Sequence, residues 1–269
     1  MSTHYETLSR PDAYRESFGV APPAEPLERQ LRPRKAGGFI VHAATAATLW
    51  PTTALAPESE AAPAPAPAAV DGDAAPGAPG DAKAPKVSKA RALVPAQWGL
   101  VPHWVKSASD AKLRAPKLAH AKADLASTAT AFRDAWLNGQ RCIVPMQAFF
   151  EDDHRAGKSK GVPTRIARVD GQPMGVAGLW ARWQGPEGES ILSYCLLTVN
   201  ANNHALLRRY GAPGSEKQMP VILNEGAYDA WLTARPEKAK EFMRQYAPQW
   251  LTANPVENKA DKAPKGWLG

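Results

Sequence analysis

Short apolar segments rich in β-branched and aromatic residues recur along the chain between stretches containing glycine, proline and asparagine. Runs of this kind, about four to eight residues long, are typical of β-strands. The predicted strands span residues 38–42, 97–101, 141–144, 148–151, 164–169, 174–183, 191–199 and 219–223. The Asp170-Gly171 pair lies between two of these segments and predicts a hairpin turn.

Helical periodicity is confined to a few stretches between or after the predicted strands. The predicted helices span residues 128–137, 202–209, 225–232 and 236–246. The last begins with Pro236 in its first turn, and Glu237 follows near the positive end of the helix dipole. Because strands and helices do not alternate regularly, the pattern predicts an α+β fold rather than a doubly wound parallel sheet.

Two segments interrupt or end this pattern. Residues 54–90 consist largely of alanine, proline and glycine, so they cannot bury enough apolar surface to offset the entropy of ordering. We therefore predict a disordered insert at about residues 54–90 within a single domain that covers residues 1–250. The Lys/Pro-rich segment 251–269 is predicted to be a mobile tail.

The composition restricts the class of protein. No apolar run approaches the ~18 residues that a membrane helix needs, and no secretory signal precedes the first strand, so we expect a cytoplasmic protein without a membrane partner. Cys142 and Cys195 occur in apolar segments, with no CxxC pair or histidine cluster nearby. We therefore predict buried core cysteines, no metal site and no disulfide. No cofactor is expected, and we expect a monomer.

The formal net charge is +7, which suits a polyanionic partner. The predicted insert does not supply this charge, because its aspartates and glutamates outnumber its lysines. The basic excess therefore belongs to the remainder of the chain, and nucleic acid is the first partner to consider.

Five motifs occur in a fixed order along the chain. They are Q-W-G-L-V-P-H-W (97–104), R-C-I-V-P-M-Q-A-F-F-E (141–151), G-V-A-G-L-W-A-R-W (175–183), L-L-T-V-N-A-N (196–202) and E-K-Q-M-P-V-I-L (216–223). Together with the M-x-x-H-Y start, they resemble the SOS-response-associated peptidase (SRAP) family, also called abasic-site processing proteins. The resemblance implies a single domain with a twisted, barrel-like, mostly antiparallel sheet and peripheral helices.

The resemblance also implies chemistry at the N-terminus. Family members react with the ring-opened aldehyde of an abasic site in single-stranded DNA. The α-amine of an N-terminal cysteine, exposed by removal of Met1, forms an imine, and its thiol closes a stable thiazolidine. In this chain Ser2 holds that position. The α-amine of Ser2 can still form an imine, but its hydroxyl is a far poorer nucleophile than a thiolate, so we predict weakened crosslinking.

Other family positions are only partly retained. Glu151 ends the V-P-x-x-x-F-F-E string, where the family has its general acid/base glutamate. His120 replaces the family's asparagine and is a candidate substitute acid/base, while Lys122 replaces an arginine and could contact a phosphate. The family's catalytic histidine aligns with Gly211 in one alignment and with Glu216 in another. Neither alignment supplies a histidine.

The candidates for DNA contact are Lys122, Trp104, Arg133 and His4. Trp104 lies in a P-x-W loop that the resemblance places in the DNA groove, where a tryptophan ring can stack on a base. His4 is expected to pack near the N-terminus. His204, which follows a strand, is expected to have a structural role.

Three functions are compatible with these residues. The favoured hypothesis is a protein that binds single-stranded DNA at abasic sites, with catalysis weakened by Ser2. The first alternative is an active imine-forming lyase or peptidase-like enzyme that uses the Ser2 amine and Glu151. The second alternative is a non-catalytic interaction module that has lost DNA binding. Whether the protein is an enzyme is left open by the sequence.

Overall fold

The computed structural model describes residues 4–49, 90–155 and 161–256. Ser2, the predicted insert apart from Ala90, and residues 257–269 of the predicted tail lie outside the described residues. The strands are β1 (Tyr5–Glu6), β2 (Gln30–Leu31), β3 (Ala36–His42), β4 (Arg91–Trp98), β5 (His120–Lys122), β6 (Arg141–Met146), β7 (Ala148–Asp153), β8 (Val162–Arg168), β9 (Met174–Gln184), β10 (Ser190–Asn200), β11 (Gln218–Pro220), β12 (Ile222–Leu223) and β13 (Leu251–Pro255). The α-helices are α1 (Pro11–Phe18), α2 (Ala43–Leu49), α3 (Ala108–Arg114), α4 (Arg133–Leu137), α5 (Tyr228–Thr233) and α6 (Pro236–Ala239).

The larger sheet closes into a barrel. Its strands follow the order β10-β4-β3-β6-β9, and β9 pairs with β10 to complete the ring. The β10–β4 pairing is parallel, and the other pairings of the ring are antiparallel. The predicted α+β class with a barrel-like, mostly antiparallel sheet is therefore confirmed.

A second, five-stranded sheet has the order β13-β8-β7-β1-β2. Strand β1 pairs antiparallel with β7 on one side and with β2 on the other. The start of the described chain is therefore an internal strand of this sheet, held by neighbours on both sides.

The barrel strands bury both faces. Along β3, Phe39 and Val41 belong to one apolar core, and the intervening Ile40 belongs to a second core. This alternation follows from the two-residue period of a strand. Cys142 and Cys195 are free and fully buried, as predicted.

Every predicted strand coincides with an observed one, with differences at the ends. The segment predicted as 97–101 ends at Trp98, because Gly99 turns the chain with φ +110°. A β-carbon at Gly99 would lie 2.4 Å from the backbone oxygen of Ala115, so only glycine allows this approach of two segments.

The predicted hairpin at Asp170-Gly171 is wrong. Gly171 does occupy a turn with φ +73°, but the strands that it separates lie in different sheets. Strand β8 pairs with β7 and β13, whereas β9 pairs with β6, β10 and β12. A D-G pair specifies the turn, and the side-chain patterns of the flanking strands do not specify which partner each strand takes.

The predicted helix 202–209 is also wrong, since only a 3-10 turn at Leu207–Arg209 forms there. The Nδ1 of His204 accepts hydrogen bonds from the backbone N–H groups of Leu206 and Leu207, at 3.2 and 3.0 Å. These donors are satisfied locally, and a regular helix is not needed to pair them. His204 is 2% exposed, consistent with the predicted structural role.

The other predicted helices are shorter than expected. The segment 128–137 is α-helical only at Arg133–Leu137, and the segment 225–232 begins as a 3-10 turn before α5. The segment 236–246 changes from α-helix to a 3-10 turn at Lys240–Phe242. The backbone oxygen of Tyr246 lies 2.8 Å from Nε2 of His204, and this contact attaches the end of the segment to the loop after β10.

The prediction of a mobile tail from residue 251 is wrong for residues 251–255. Leu251–Pro255 forms β13, which pairs antiparallel with β8 along its whole length. Leu251 is buried in the core. The pairing shows that this part of the predicted tail is an edge strand of the smaller sheet.

Candidate active site around the first strand

The N-terminal end of β1 leads toward Glu151 on β7. Tyr5 is opposite Phe149 on β7 and opposite Leu31 on β2. Continuing both registers by one residue places His4 between Phe150 and Arg32. The ring of His4 stacks on that of Phe150, with centroids 4.2 Å apart and planes within 14°. Ser2 itself lies outside the described residues.

The environment of His4 is apolar on one side and charged on the other. His4 is 8% exposed. Burial lowers the pKa of His4, the positive charge of Arg32 lowers it further, and the carboxylate of Asp152 acts in the opposite direction. His4 is therefore a neutral packing residue at neutral pH.

Glu151 is a buried carboxylate at the centre of this region, with an exposure of 7%. Beside it, Gly211 donates its backbone N–H to the backbone oxygen of Asp152 at 2.8 Å. A β-carbon at Gly211 would lie 3.9 Å from Oε2 of Glu151 and 3.8 Å from Nζ of Lys217. The structure thus places Gly211, the first of the two alternatives for the family histidine, next to Glu151. Gly211 has no side chain for that position, and its φ of +80° disfavours other residues.

Lys217 supplies a positive charge beside this glycine. Its Nζ donates to the backbone oxygens of Gly211 and Ala212, at 3.2 and 2.6 Å. These bonds close the loop from Gly211 to Lys217 on itself, and the bond from the Gly211 N–H to Asp152 attaches this loop to β7. Lys217 belongs to the E-K-Q-M-P motif, but sequence reasoning did not identify it as a site residue.

His120 begins β5 and packs against Trp98. Their ring centroids are 5.4 Å apart in an edge-on arrangement. The Nε2 atom of His120 is buried and has no hydrogen-bond partner among the described residues. Burial lowers the pKa of His120 to about 4. Its imidazole is consequently neutral at neutral pH and a weak base.

Lys122 and Glu216 form an ion pair that connects β5 to the segment before β11. The Nδ2 of Asn200 also donates to Oε1 of Glu216, at 2.7 Å. The bond from Lys122 is the main cause of a lowered pKa at Glu216. The second alternative for the family histidine, Glu216, is therefore a paired carboxylate, and Lys122 is its partner.

Trp104 and Arg133 lie in the region of α3 and α4. The Nε1 of Trp104 donates to the backbone oxygen of Thr130 at 3.4 Å, and the guanidinium of Arg114 lies 5.2 Å from the ring centroid of Trp104. Arg133 is exposed at the first residue of α4. The guanidinium of Arg114 therefore lies over one face of the Trp104 ring.

Within residues 4–49, 90–155 and 161–256, no group of three or more His, Cys, Asp or Glu side chains could hold a metal ion. None of the helices in this part of the chain is long and apolar enough to cross a membrane.

Comparison with known proteins defines the family. The sequence model of the family described as SOS response associated peptidase (SRAP) matches residues 4–263. The abasic site processing protein YoqW of Bacillus subtilis is 29% identical over 60% of this chain and 68% of its own length. The abasic site processing protein HMCES of Gallus gallus is 25% identical over 60% of this chain and 51% of its own length.

A solved structure agrees with this assignment. A crystal structure of a protein from Bordetella bronchiseptica has 31% sequence identity and a TM-score of 0.72, and the match covers 95% of this chain and 100% of that chain. A crystal structure of a protein from Bacteroides thetaiotaomicron has 25% identity and a TM-score of 0.55, over 65% of this chain and 74% of that chain. The chain belongs to the SOS response associated peptidase (SRAP) family.

Proposed function

We propose that this protein binds single-stranded DNA at abasic sites and that Ser2 makes its covalent chemistry transient. Membership of the SRAP family and the names of its relatives, which are abasic site processing proteins, support a function in the DNA damage response. The basic net charge of +7 supports a polyanionic ligand.

The position of β1 is the observation that carries this proposal. Its registers direct the start of the chain between Arg32 and Phe150, toward the buried carboxylate of Glu151. An N-terminal amine needs a neighbouring group that transfers protons when it condenses with an aldehyde. Glu151 is the group that this geometry offers.

The proposed reaction begins when the α-amine of Ser2, after removal of Met1, attacks the aldehyde carbon of the ring-opened sugar. As the carbinolamine forms, Glu151 accepts the proton that the amine nitrogen loses; it then donates this proton to the carbinolamine hydroxyl, and water leaves to give the protonated imine. The reference pKa of an α-amino group is about 8, so an appreciable fraction is neutral near pH 7. The Ser2 hydroxyl closes the ring less readily than a thiolate, and water returns the aldehyde and the free amine.

The other candidates are assigned to DNA binding in this proposal. Lys122 exchanges its partner Glu216 for a phosphate, while Trp104 and Arg133 contact the strand away from the reacting sugar. His4 packs under the N-terminus through its stacking on Phe150. His120, which burial keeps neutral, lines the site without acting as the principal base.

The decisive experiment incubates the native protein with single-stranded DNA that carries one abasic site, with and without borohydride. Denaturing gels and intact mass report adducts and the removal of Met1. We expect no heat-stable adduct without borohydride and a trapped adduct with it. Ser2→Cys should form a heat-stable adduct without borohydride, and Ser2→Ala, which keeps the amine, should behave like the native protein. A heat-stable adduct from the native protein would contradict weakened crosslinking.

A second candidate function, an imine-forming lyase, is supported by the same buried Glu151. From the imine, removal of the 2′ proton of the sugar by a base expels the 3′ phosphate and breaks the strand. The same gels report this reaction as a shortened oligonucleotide. Intact DNA after release of the protein would exclude the lyase and leave reversible binding.

A further inference from the structure

The residue Arg34 has an unusual backbone conformation. Its φ of +75° is the only positive value at a non-glycine residue in the described part of the chain. This left-handed region is unfavourable for an L-residue with a side chain and persists only where surrounding contacts impose it. The imposing contacts are hydrogen bonds from the backbone N–H of Arg34 to the oxygen of Trp98, 2.7 Å, and from the N–H of Trp98 to the oxygen of Lys35, 3.1 Å.

Some basic side chains in and before this turn form ion pairs with a carboxylate, and others do not. Two of the basic residues of the segment have carboxylate partners, Arg29 with Glu6 and Lys35 with Glu28. Arg32 and Arg34 are both exposed, and neither forms an ion pair within the described residues. Two guanidinium groups separated by a proline therefore carry uncompensated charge on a turn that is fixed by the barrel.

The turn borders the candidate active site on two sides. Arg32 follows β2 at the position opposite His4, and its charge reaches the His4 imidazole. The hydrogen bonds of Arg34 and Lys35 attach the other end of the turn to Trp98, the residue that packs against His120. The segment Arg32-Pro33-Arg34 thus extends from the surroundings of His4 to Trp98, the residue in contact with His120.

We propose that Arg32 and Arg34 form a clamp for backbone phosphates of the DNA strand next to the abasic sugar. This inference rests on the proposed function, since it names the residues that hold the ligand there. A guanidinium offers a planar fork of donors that matches two phosphate oxygens. The strained turn fixes the backbone positions from which both guanidinium groups extend, close to His4.

The test measures affinity for a single-stranded oligonucleotide that carries one tetrahydrofuran abasic-site analogue, which binds but cannot form an imine. Fluorescence anisotropy is recorded over a series of salt concentrations for the native protein, Arg32→Gln, Arg34→Asn and the double variant. Lys35→Gln is the matched control, because its charge lies on the same turn but is already paired with Glu28.

Each lost phosphate contact should reduce the slope of log affinity against log salt by about 0.7. We therefore expect a slope change of about 0.7 for each single variant, about 1.4 for the double variant, and several-fold weaker binding at moderate salt. Lys35→Gln should change the slope less than either single variant. Asparagine tolerates positive φ better than arginine, so Arg34→Asn should melt at the native temperature or above it.

The outcomes separate the two proposals. Native binding with unchanged slopes in the arginine variants would overturn the clamp and leave the proposed function intact. A slope change in Lys35→Gln equal to that of Arg34→Asn would also overturn the clamp, because it would indicate a diffuse basic surface. Absence of binding by the native protein at every salt concentration would overturn both proposals.

Discussion

The hydroxyl groups of Tyr5 and Tyr194 lie 2.5 Å apart in the buried core. Tyr5 belongs to the first strand of the smaller sheet, and Tyr194 belongs to β10 of the barrel. This hydrogen bond therefore connects the first strand of the smaller sheet, the sheet that also contains Glu151, to the barrel strand that pairs with the strand of His120. Burial raises the pKa of both hydroxyl groups, so both remain protonated at neutral pH.

Removal of one hydroxyl from this pair should destabilise the protein. Tyr5→Phe or Tyr194→Phe should lower the free energy of unfolding by about 1–2 kcal/mol, because the remaining hydroxyl loses a partner inside the core. The double variant should lose less than the sum of the two single variants. Urea unfolding of the four proteins measures this coupling. Tyr14→Phe is the control, since Tyr14 is buried but its hydroxyl bonds to no described residue, and additive losses in the pair would contradict the prediction.

Glu151 should control the rate of adduct formation rather than DNA affinity. In the Ser2→Cys background, Glu151→Gln should slow formation of the heat-stable adduct by about 10²-fold or more, because proton transfer is lost. Affinity for the tetrahydrofuran oligonucleotide should change by less than about 3-fold, below the effect of one charged hydrogen bond.

A carboxylate on the same strand offers a matched control for this prediction. Asp153 also lies on β7, where it pairs with Arg155 at 2.6 Å. Asp153→Asn in the Ser2→Cys background should form the adduct at an unchanged rate. Equal rates for the Glu151→Gln and Asp153→Asn variants would remove Glu151 from the proton-transfer role.

His204 should contribute strongly to stability. Its Nδ1 accepts two backbone hydrogen bonds, and its Nε2 is left to donate to the backbone oxygen of Tyr246. His204→Ala should cost about 2–4 kcal/mol, since it leaves buried backbone groups unpaired and opens a cavity. The exposed His103, which pairs with Asp134, is the control, and His103→Ala should cost less than about 1 kcal/mol. Thermal and urea unfolding measure the loss of stability in each variant. Equal losses in His204→Ala and His103→Ala would contradict this role of His204.

His120 should make the protein sensitive to acid. Its pKa in the folded state, about 4, lies below the ordinary value of 6.5. The unfolded chain therefore binds a proton at this residue more readily, and stability falls as the pH decreases from about 6.5 through about 4. His120→Gln should show a smaller loss of unfolding free energy across this interval than the native protein. Parallel pH profiles for the two proteins would show that His120 is already solvated in the native state.

The sequence alone was informative where local chemistry decides the structure. Apolar, β-branched segments located each predicted strand, because burial on a pleated surface requires that composition wherever the strand lies. The same segments identified Cys142 and Cys195 as core residues, and the ordered motifs identified the family. Glu151 and Ser2 were predicted as site residues from the resemblance that those motifs carry.

Other features depend on which segments meet in space, and this information is absent from local patterns. The D-G pair at Asp170-Gly171 specified a turn, but only strand pairing placed β8 and β9 in different sheets. The polar sequence around His204 is compatible with a helix. In the structure, however, the backbone N–H groups of Leu206 and Leu207 donate to Nδ1 of His204. Strand β13 lies in a segment of low apolar content and exists because β8 offers it an open edge.

At the candidate site, the sequence supplies the residues and the tertiary structure decides which of them are neighbours. The residues R-P-R-K at positions 32–35 show that this segment is positively charged. They do not show where in the fold that charge lies. Only the registers of β1 with β2 and β7 brought Arg32, His4 and Phe150 side by side, and only the hydrogen bond to Trp98 fixed the positive φ of Arg34. Sequence determines which groups are available for chemistry, whereas long-range hydrogen bonding between strands determines which of them share one surface.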